Sequence, residues 1–271
     1  MKIFAIRDET DQTGQDLAYL LYYETAKQFY IELPEGADPW QTPLLLASFA
    51  RKGETGVNSY WSRLWVQQRI VPPDRQNIAQ MLRDNGLKEY DEYGLLMLSM
   101  GRCAQDDYYL VPISENDLPA EFLRRAGKRV EEVIPLFERK LLVAFRDGTV
   151  RKCDMTAYFS SHRSFEILLN HPEYMAQVKV QVGGHGIMWD ENLTIPAHEL
   201  YRMGKKVPLT LEELRQIMAA QVIDASEAAE ILNCSRQYVS ELVKSGKLHP
   251  IKASEKSTLF LRSEVQKRNW K

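Results

Sequence analysis

The sequence predicts an α+β chain of several domains: two mixed α/β N-terminal units and a C-terminal winged helix-turn-helix. Three observations lead there. The chain has 271 residues, more than the ~100–200 of a usual domain. Short runs of strand character alternate with runs of helical spacing over residues 1–204. The last third closes on two short, capped helical stretches joined by a tight turn and followed by a hairpin pattern. The expected domains are 1–113, mixed α/β; 114–134, a connecting helix; 135–204, a small α+β domain; and 205–271, the winged helix-turn-helix.

In the first block, "QFYIELP" (Gln28–Pro34) reads as a strand ended by proline. "DRQNIAQMLRDNGL" (Asp74–Leu87) reads as a helix capped by Asp74, with Ile78, Met81 and Leu82 on one face and Gly86 closing it. The aromatics between Trp40 and Trp65 are expected to supply a core or a binding face. The Pro-punctuated stretch Pro112–Pro135 contains "PAEFLRRAGKRVEE", whose composition suits a connecting helix. The segment "RQNIAQMLRDNGLKEYDEYGLLMLSMGRCAQDDYYL" resembles one found in proteins that accompany HipA-type kinase toxins.

The second block has clearer punctuation. "KLLVAF", the turn "RDGT" and "VRKCDM" form a hairpin signature, with Asp147-Gly148 at its tip. A helix is expected at "RSFEILLN", a strand at "MAQVKVQV", a turn at "GGHG", a strand at "IMWD" and a closing helical turn at "PAHELY". "VAFRDGTV", "FEILLNHPEYMAQVKV", "GIMWDENLTI" and "HELY" together resemble a small bacterial domain family of unknown function. Members of that family stand alone or precede a DNA-binding helix-turn-helix. The resemblance implies a fold and a neighbour but no activity.

In the third block Asp224 and Glu227 stand at the spacing of a capping box. Ala228, Ala229, Ile231 and Leu232 follow at helical spacing, and Asn233-Cys234 makes the turn, asparagine tolerating a left-handed backbone. Ser235 caps the next helix, Arg236–Ser245. Val239, Leu242 and Val243 on it are expected to pack on Ala228, Ile231 and Leu232. Leu248 and Ile251, the turn "ASEKST" and "LFL" read as a hairpin wing, and Ser263 as the cap of a last helix. With "SRQYV" (Ser235–Val239) opening the second helix and "KSGKL" (Lys244–Leu248) leading into the wing, Ile223–Lys267 resembles the excisionase-like, MerR-related winged helix-turn-helix family. Asn233 stands where that family more often has glycine.

Such a helix fits the major groove with its N-terminal side chains toward the bases. Arg236 suits guanine and Gln237 adenine. Ser235 and Tyr238 suit phosphate oxygens, and Ser240 and Lys244 share the exposed face. Lys247, Lys252 and Lys256 add charge around the wing. The net charge of −2 does not oppose this. From Tyr201 onward 13 Lys+Arg face 8 Asp+Glu, leaving 22 against 29 in residues 1–200, and phosphates respond to the local field. One such module covers only ~600–1,000 Å² of protein surface on DNA, so specific binding is expected to need dimerisation, as a homodimer on double-stranded DNA, or a second DNA-contacting surface. A protein partner is expected for the N-terminal domains.

Other chemistries lack their residues. Cys103, Cys153 and Cys234 are widely spaced, and no His pair sits at i, i+4, so neither a metal nor a disulfide framework is expected. No cofactor loop or catalytic set is expected either. "GGHG" opens no helix, and the pairs Asp91-Glu92 and Asp106-Asp107 read as solvated acidic loops. The histidines are assigned to surface or turn positions. The apolar runs are shorter than the ~18 residues of a membrane span, and a secretory h-region is missing. A non-enzymatic cytoplasmic regulator of bacterial or phage origin is the resulting expectation, with an antitoxin-like partner protein as the alternative.

Overall fold

The computed structural model describes residues 1–254 and 257–268. The chain is an α+β protein of more than one domain. It divides into two compact units, Met1–Asp147 with Arg151–Lys205, and Gly148–Val150 with Lys206–Lys271. Among the described residues no helix is long and apolar enough to cross a membrane.

The first unit begins with β1 (Lys2–Asp8), β2 (Ala18–Tyr23) and β3 (Gln28–Glu32). It continues through α1 (Ala47–Arg51), β4 (Gly56–Val57), α2 (Ser59–Gln67), α3 (Ile78–Asp84), α4 (Glu92–Ser99) and β5 (Tyr108–Ile113). The strands form one antiparallel sheet in the order β4-β3-β2-β1-β5. Both faces of this sheet are buried. Phe4, Ile6, Leu20, Phe29 and Ile31 point to one side, where Trp65 and Val66 of α2 and Leu96 of α4 cover them. Ile3, Leu21 and Tyr30, with Ala5 and Tyr19, point to the other, toward Phe122 and Val182. A strand buried on both faces needs no polar alternation, which is why "AYLLYY" in β2 shows none.

The helix expected from Asp74 is shorter than its pattern. It runs Ile78–Asp84, with Asn77 at its N-cap and no side-chain cap bond. Gly86 does close it, at φ 71°, as the Leu87 amide donates to the Leu82 carbonyl at 2.8 Å. The connecting segment is helical only over α5 (Ala120–Gly127). From Val130 it is a strand that the helix-forming composition concealed, β6 (Val130–Leu136). The aromatics of Trp40–Trp65 divide: Trp65 is 1 % exposed and Trp40 88 %.

β6 pairs antiparallel with β7 (Lys140–Phe145), Val130 opposite Phe145 and Leu136 opposite Lys140. The Asp147-Gly148 turn leads into β8 (Thr149–Asp154). Then come α6 (Thr156–Ser161), α7 (Glu166–Asn170), β9 (Lys179–Val180), β10 (Gly186–Met188), β11 (Thr194–Pro196) and α8 (Ala197–Met203). The strand expected over "MAQVKVQV" is confined to β9, because Pro172–Gln177 forms a 3-10 helix. "GGHG" is the turn between β9 and β10, which pair Val180 to Ile187. Leu141, Val143, Phe145, Phe159, Leu168, Ile187, Ile195 and Leu200 make the core.

That turn is also where the second sheet region seats on the first. Gly183 has φ 71°, and a Cβ there would fall 2.0 Å from the Tyr23 hydroxyl. His185 lies in the turn, as expected, but its side chain is largely covered, at 12 % exposure. Its ring stacks on Tyr30 with centroids 3.9 Å apart, and its Nε2 lies 3.0 Å from the Tyr23 hydroxyl. Beside it Glu32, 5 % exposed, accepts from Arg129 Nη2 at 2.6 Å and from Arg125 Nη2 at 3.4 Å. Burial first, and the Arg129 guanidinium next, hold the His185 imidazole well below its ordinary pKa, so it is neutral in the fold.

The carboxylate pairs also have structural tasks. Asp106 accepts from Arg69 Nη2 at 2.5 Å, and the Arg69 side chain is itself buried. Asp91 caps α4 by accepting from the Gly94 amide at 2.8 Å. Glu92 is gripped by Arg63 Nε at 2.9 and 3.1 Å and by Gln67. Asp91, Glu92 and Asp106 are thus caps or ion-pair partners, while Asp107 is exposed as expected.

Candidate nucleic-acid interface

The second unit holds β12 (Lys205–Thr210), α9 (Leu211–Gln221), β13 (Val222–Asp224), α10 (Ala225–Ile231) and α11 (Arg236–Lys244), then β14 (Lys252–Ala253), β15 (Thr258–Leu261) and α12 (Arg262–Arg268). Its core is Ile223, Ala228, Ala229, Val239, Leu242, Leu248, Phe260 and Val265.

Local chemistry sets both helices of the central pair. Asp224 Oδ1 accepts from the amides of Ser226 at 2.7 Å and Glu227 at 2.9 Å. Glu227 Oε2 accepts in return from the Asp224 amide at 3.1 Å, completing a capping box. These hydrogen bonds hold the Asp224 carboxyl below its usual range. Asn233 ends α10 at φ 48°. The Cys234 amide then donates to the Ala229 carbonyl at 2.9 Å, and the Asn233 amide to Glu230 at 3.1 Å. This is the Schellman pattern.

Ser235 Oγ opens α11 by accepting from the Tyr238 amide at 3.2 Å. Gly246 ends it at φ 65°, with the Lys247 amide on the Leu242 carbonyl at 2.8 Å and the Gly246 amide on Val243 at 3.0 Å. Both helices therefore stop in the same way. Ala228, fully buried, lets α11 approach closely, and Val239 and Leu242 fill the space beside it.

The wing is a three-stranded sheet in the order β13-β15-β14. Ile223 pairs with Phe260 on one side of β15, and Lys252 with Leu259 on the other. β13 was not anticipated. Leu248, expected on the wing, is in the core at 1 % exposure, because the turn after Gly246 carries it back under α11. Ser263 lies inside α12, one residue past its start.

Ser235, Arg236, Gln237, Tyr238, Ser240, Lys244, Lys247 and Lys252 are all exposed, while Lys256 falls outside the described residues. Spacing along α11 places Gln237 and Lys244 opposite the buried Val239 and Leu242, with Arg236 and Ser240 flanking. Ser240 Oγ donates to the Arg236 carbonyl at 3.2 Å. The side chains of Gln237 and Lys244 take part in no hydrogen bond or ion pair among the described residues. Sequence reading passed over Glu241, four residues after Gln237 and so on the same exposed face. The helical spacing itself would have found it. Arg262 is not free to reach outward: its Nε donates to the Ala220 carbonyl at 2.9 Å and its Nη2 to Glu227 at 3.4 Å.

Among the described residues no group of His, Cys, Asp and Glu is arranged to hold a metal ion. No curated protein and no solved structure gives a significant match to the chain. Two family patterns match parts of it. A protein family of unknown function, DUF2442, covers residues 130–206, and a helix-turn-helix domain family covers residues 222–268. The chain thus carries a DNA-binding helix-turn-helix domain at residues 222–268, preceded by a domain of unknown function.

Proposed function

We propose that the protein is a sequence-specific, non-enzymatic transcriptional regulator of bacterial or phage origin that binds double-stranded DNA as a homodimer. The observation behind this reading is the exposed face of α11, where Gln237 and Lys244 have no side-chain partner among the described residues. Arg236 reads guanine and Gln237 adenine from the major groove. Ser235, Tyr238, Ser240 and Lys244 sit toward phosphates, and Lys247, Lys252 and Lys256 add charge at the wing. The "SRQYV" and "KSGKL" segments support an excisionase-like, MerR-related ancestry for the module. In this reading residues 1–113, 114–134 and 135–204 serve dimerisation or partner recognition, and 205–271 serve DNA.

Selection of duplexes from a random pool by the full chain, repeated at two salt concentrations, tests the reading. A defined motif with salt-sensitive affinity is the expected result. Recovery of random sequence only, or of none, overturns it.

A second reading, an antitoxin-like interaction protein that autoregulates through DNA, draws on the exposed Trp40 and Leu44, at 88 % and 89 %. Tryptophan is enriched at docking hot spots, and exposed apolar surface marks interaction sites. Co-purification of a kinase-like partner that is lost on Trp40→Ala would favour it.

A further inference from the structure

The first unit contains a cleft of about 600 Å³, within the ~300–1,000 Å³ range of small-molecule sites. Its walls come from the β2–β3 hairpin, from α2, from the start of α4, and from the β9–β11 region.

Of the charged residues lining the cleft, Lys27 pairs with Glu89 at 3.8 Å, Glu191 is exposed, and the other three are held. Arg63 and Glu92 hold each other, and Asp91 is spent on its cap. Three groups keep an amide edge or a ring face open, although the Tyr90 hydroxyl donates to the Val71 carbonyl at 2.8 Å. Gln181 lines the cleft at only 7 % exposure, and its side-chain amide makes no hydrogen bond among the described residues. Such an amide offers a ligand in the cleft a donor and an acceptor side by side. The rings of Tyr60 and Tyr90 also line the cleft. Unlike Tyr22 and Tyr93, which stack on each other at 4.2 Å, neither has a stacked ring partner. Tyr60 meets only the edge of Trp61, and Tyr60 is 66 % exposed.

From these we infer that the cleft binds a planar heterocycle of nucleobase type. The ligand ring stacks on a tyrosine face, and its adjacent donor and acceptor pair with the Gln181 amide. A carboxamide presents the complement of such an edge in a fixed geometry, and aromatic faces hold flat rings without regard to charge. This site lies outside the helix-turn-helix domain and does not depend on what that domain reads.

The test is titration of the full chain with adenosine, guanosine, cytidine and uridine, followed by intrinsic fluorescence and by thermal shift. Saturable binding of at least one nucleoside is expected. Gln181→Leu, which removes the edge and keeps the bulk, weakens it by about tenfold or more. Gln181→Glu, an acceptor only, changes the order of preference among the four bases, which a purely structural residue would not do. Tyr60→Ala, at an exposed position that leaves folding intact, also lowers affinity. Arg236→Ala leaves nucleoside binding unchanged, which separates this site from the DNA reading. Failure of all four nucleosides to bind overturns the inference. So does equal affinity in Tyr60→Ala and the parent chain, which holds even should the Gln181 variants unfold.

Discussion

The contact of the "GGHG" turn with β3 and the outer face of α11 are both rich in polar side chains, and they treat them in opposite ways. Beneath β3, Glu32 meets Arg129 and Arg125, and His185 meets Tyr23 and Tyr30, so the polar groups find their partners inside the chain. Along α11, Gln237, Glu241 and Lys244 share one exposed face, and their side chains take no partner among the described residues. Burial forces satisfaction in the first place, because an unpaired buried charge is costly. Water permits the absence of partners in the second, and a ligand can then supply them. The first region should therefore report on stability and the second on binding.

The largest expected effect tests the first half of that contrast. Glu32→Ala leaves Arg129 buried without its carboxylate and should cost about 3–5 kcal/mol of unfolding free energy, read by urea denaturation. Replacing both residues by Met should recover most of the loss. A single-variant cost no greater than that of an exposed pair would break the contrast.

Next, Arg236→Ala should cost about 1–3 kcal/mol on a selected duplex while leaving the thermal midpoint unchanged. A fall in the midpoint would place Arg236 with the structural groups instead.

His185 gives a pH signature. Its imidazole titrates well below its ordinary value in the fold, so the unfolded chain binds the proton first as pH falls. The stability it contributes is complete above the unfolded pKa of ~6.5 and is lost below it, by up to ~1.4 kcal/mol per pH unit. His185→Gln should flatten the stability profile below pH ~6.5 by that one-proton slope.

The smallest effect concerns Glu241. Glu241→Gln removes one like charge facing the phosphates and should tighten non-specific binding modestly. Little change in the selected motif is expected, and an altered motif would make Glu241 a base reader.

The helix-turn-helix was legible because its determinants are local. The Asp224–Glu227 box, the left-handed Asn233 and the Ser235 cap each act within three residues or so, and the Val239–Leu242 seam needs only helical spacing. The first unit was far less legible. β6 was concealed by helix-forming charges, and β1 and β2 are too uniformly apolar to show a period. The Glu32–Arg129 pair joins residues 97 apart, and Tyr23 and His185 lie 162 apart. No local pattern encodes such pairings. Asp106 was misread as solvated for the same reason, since it meets an arginine 37 residues away; Asp91, a cap on an amide three residues on, was within reach of a local reading.

The sheet of β1–β3, closed on both sides, bears on how this chain can be taken apart. A fragment ending at residue 113 would keep the cover provided by α2 and α4 but strip away Phe122, Val182 and His185, baring Tyr19, Leu21 and Tyr30 to water. Such a piece would be sticky in solution, a poor subject for separate expression and a poor unit for recombination between genes. The helix-turn-helix closes its own core with its own residues and could be exchanged for another reading head. The N-terminal sheet, by contrast, is completed only by residues that follow it in the chain.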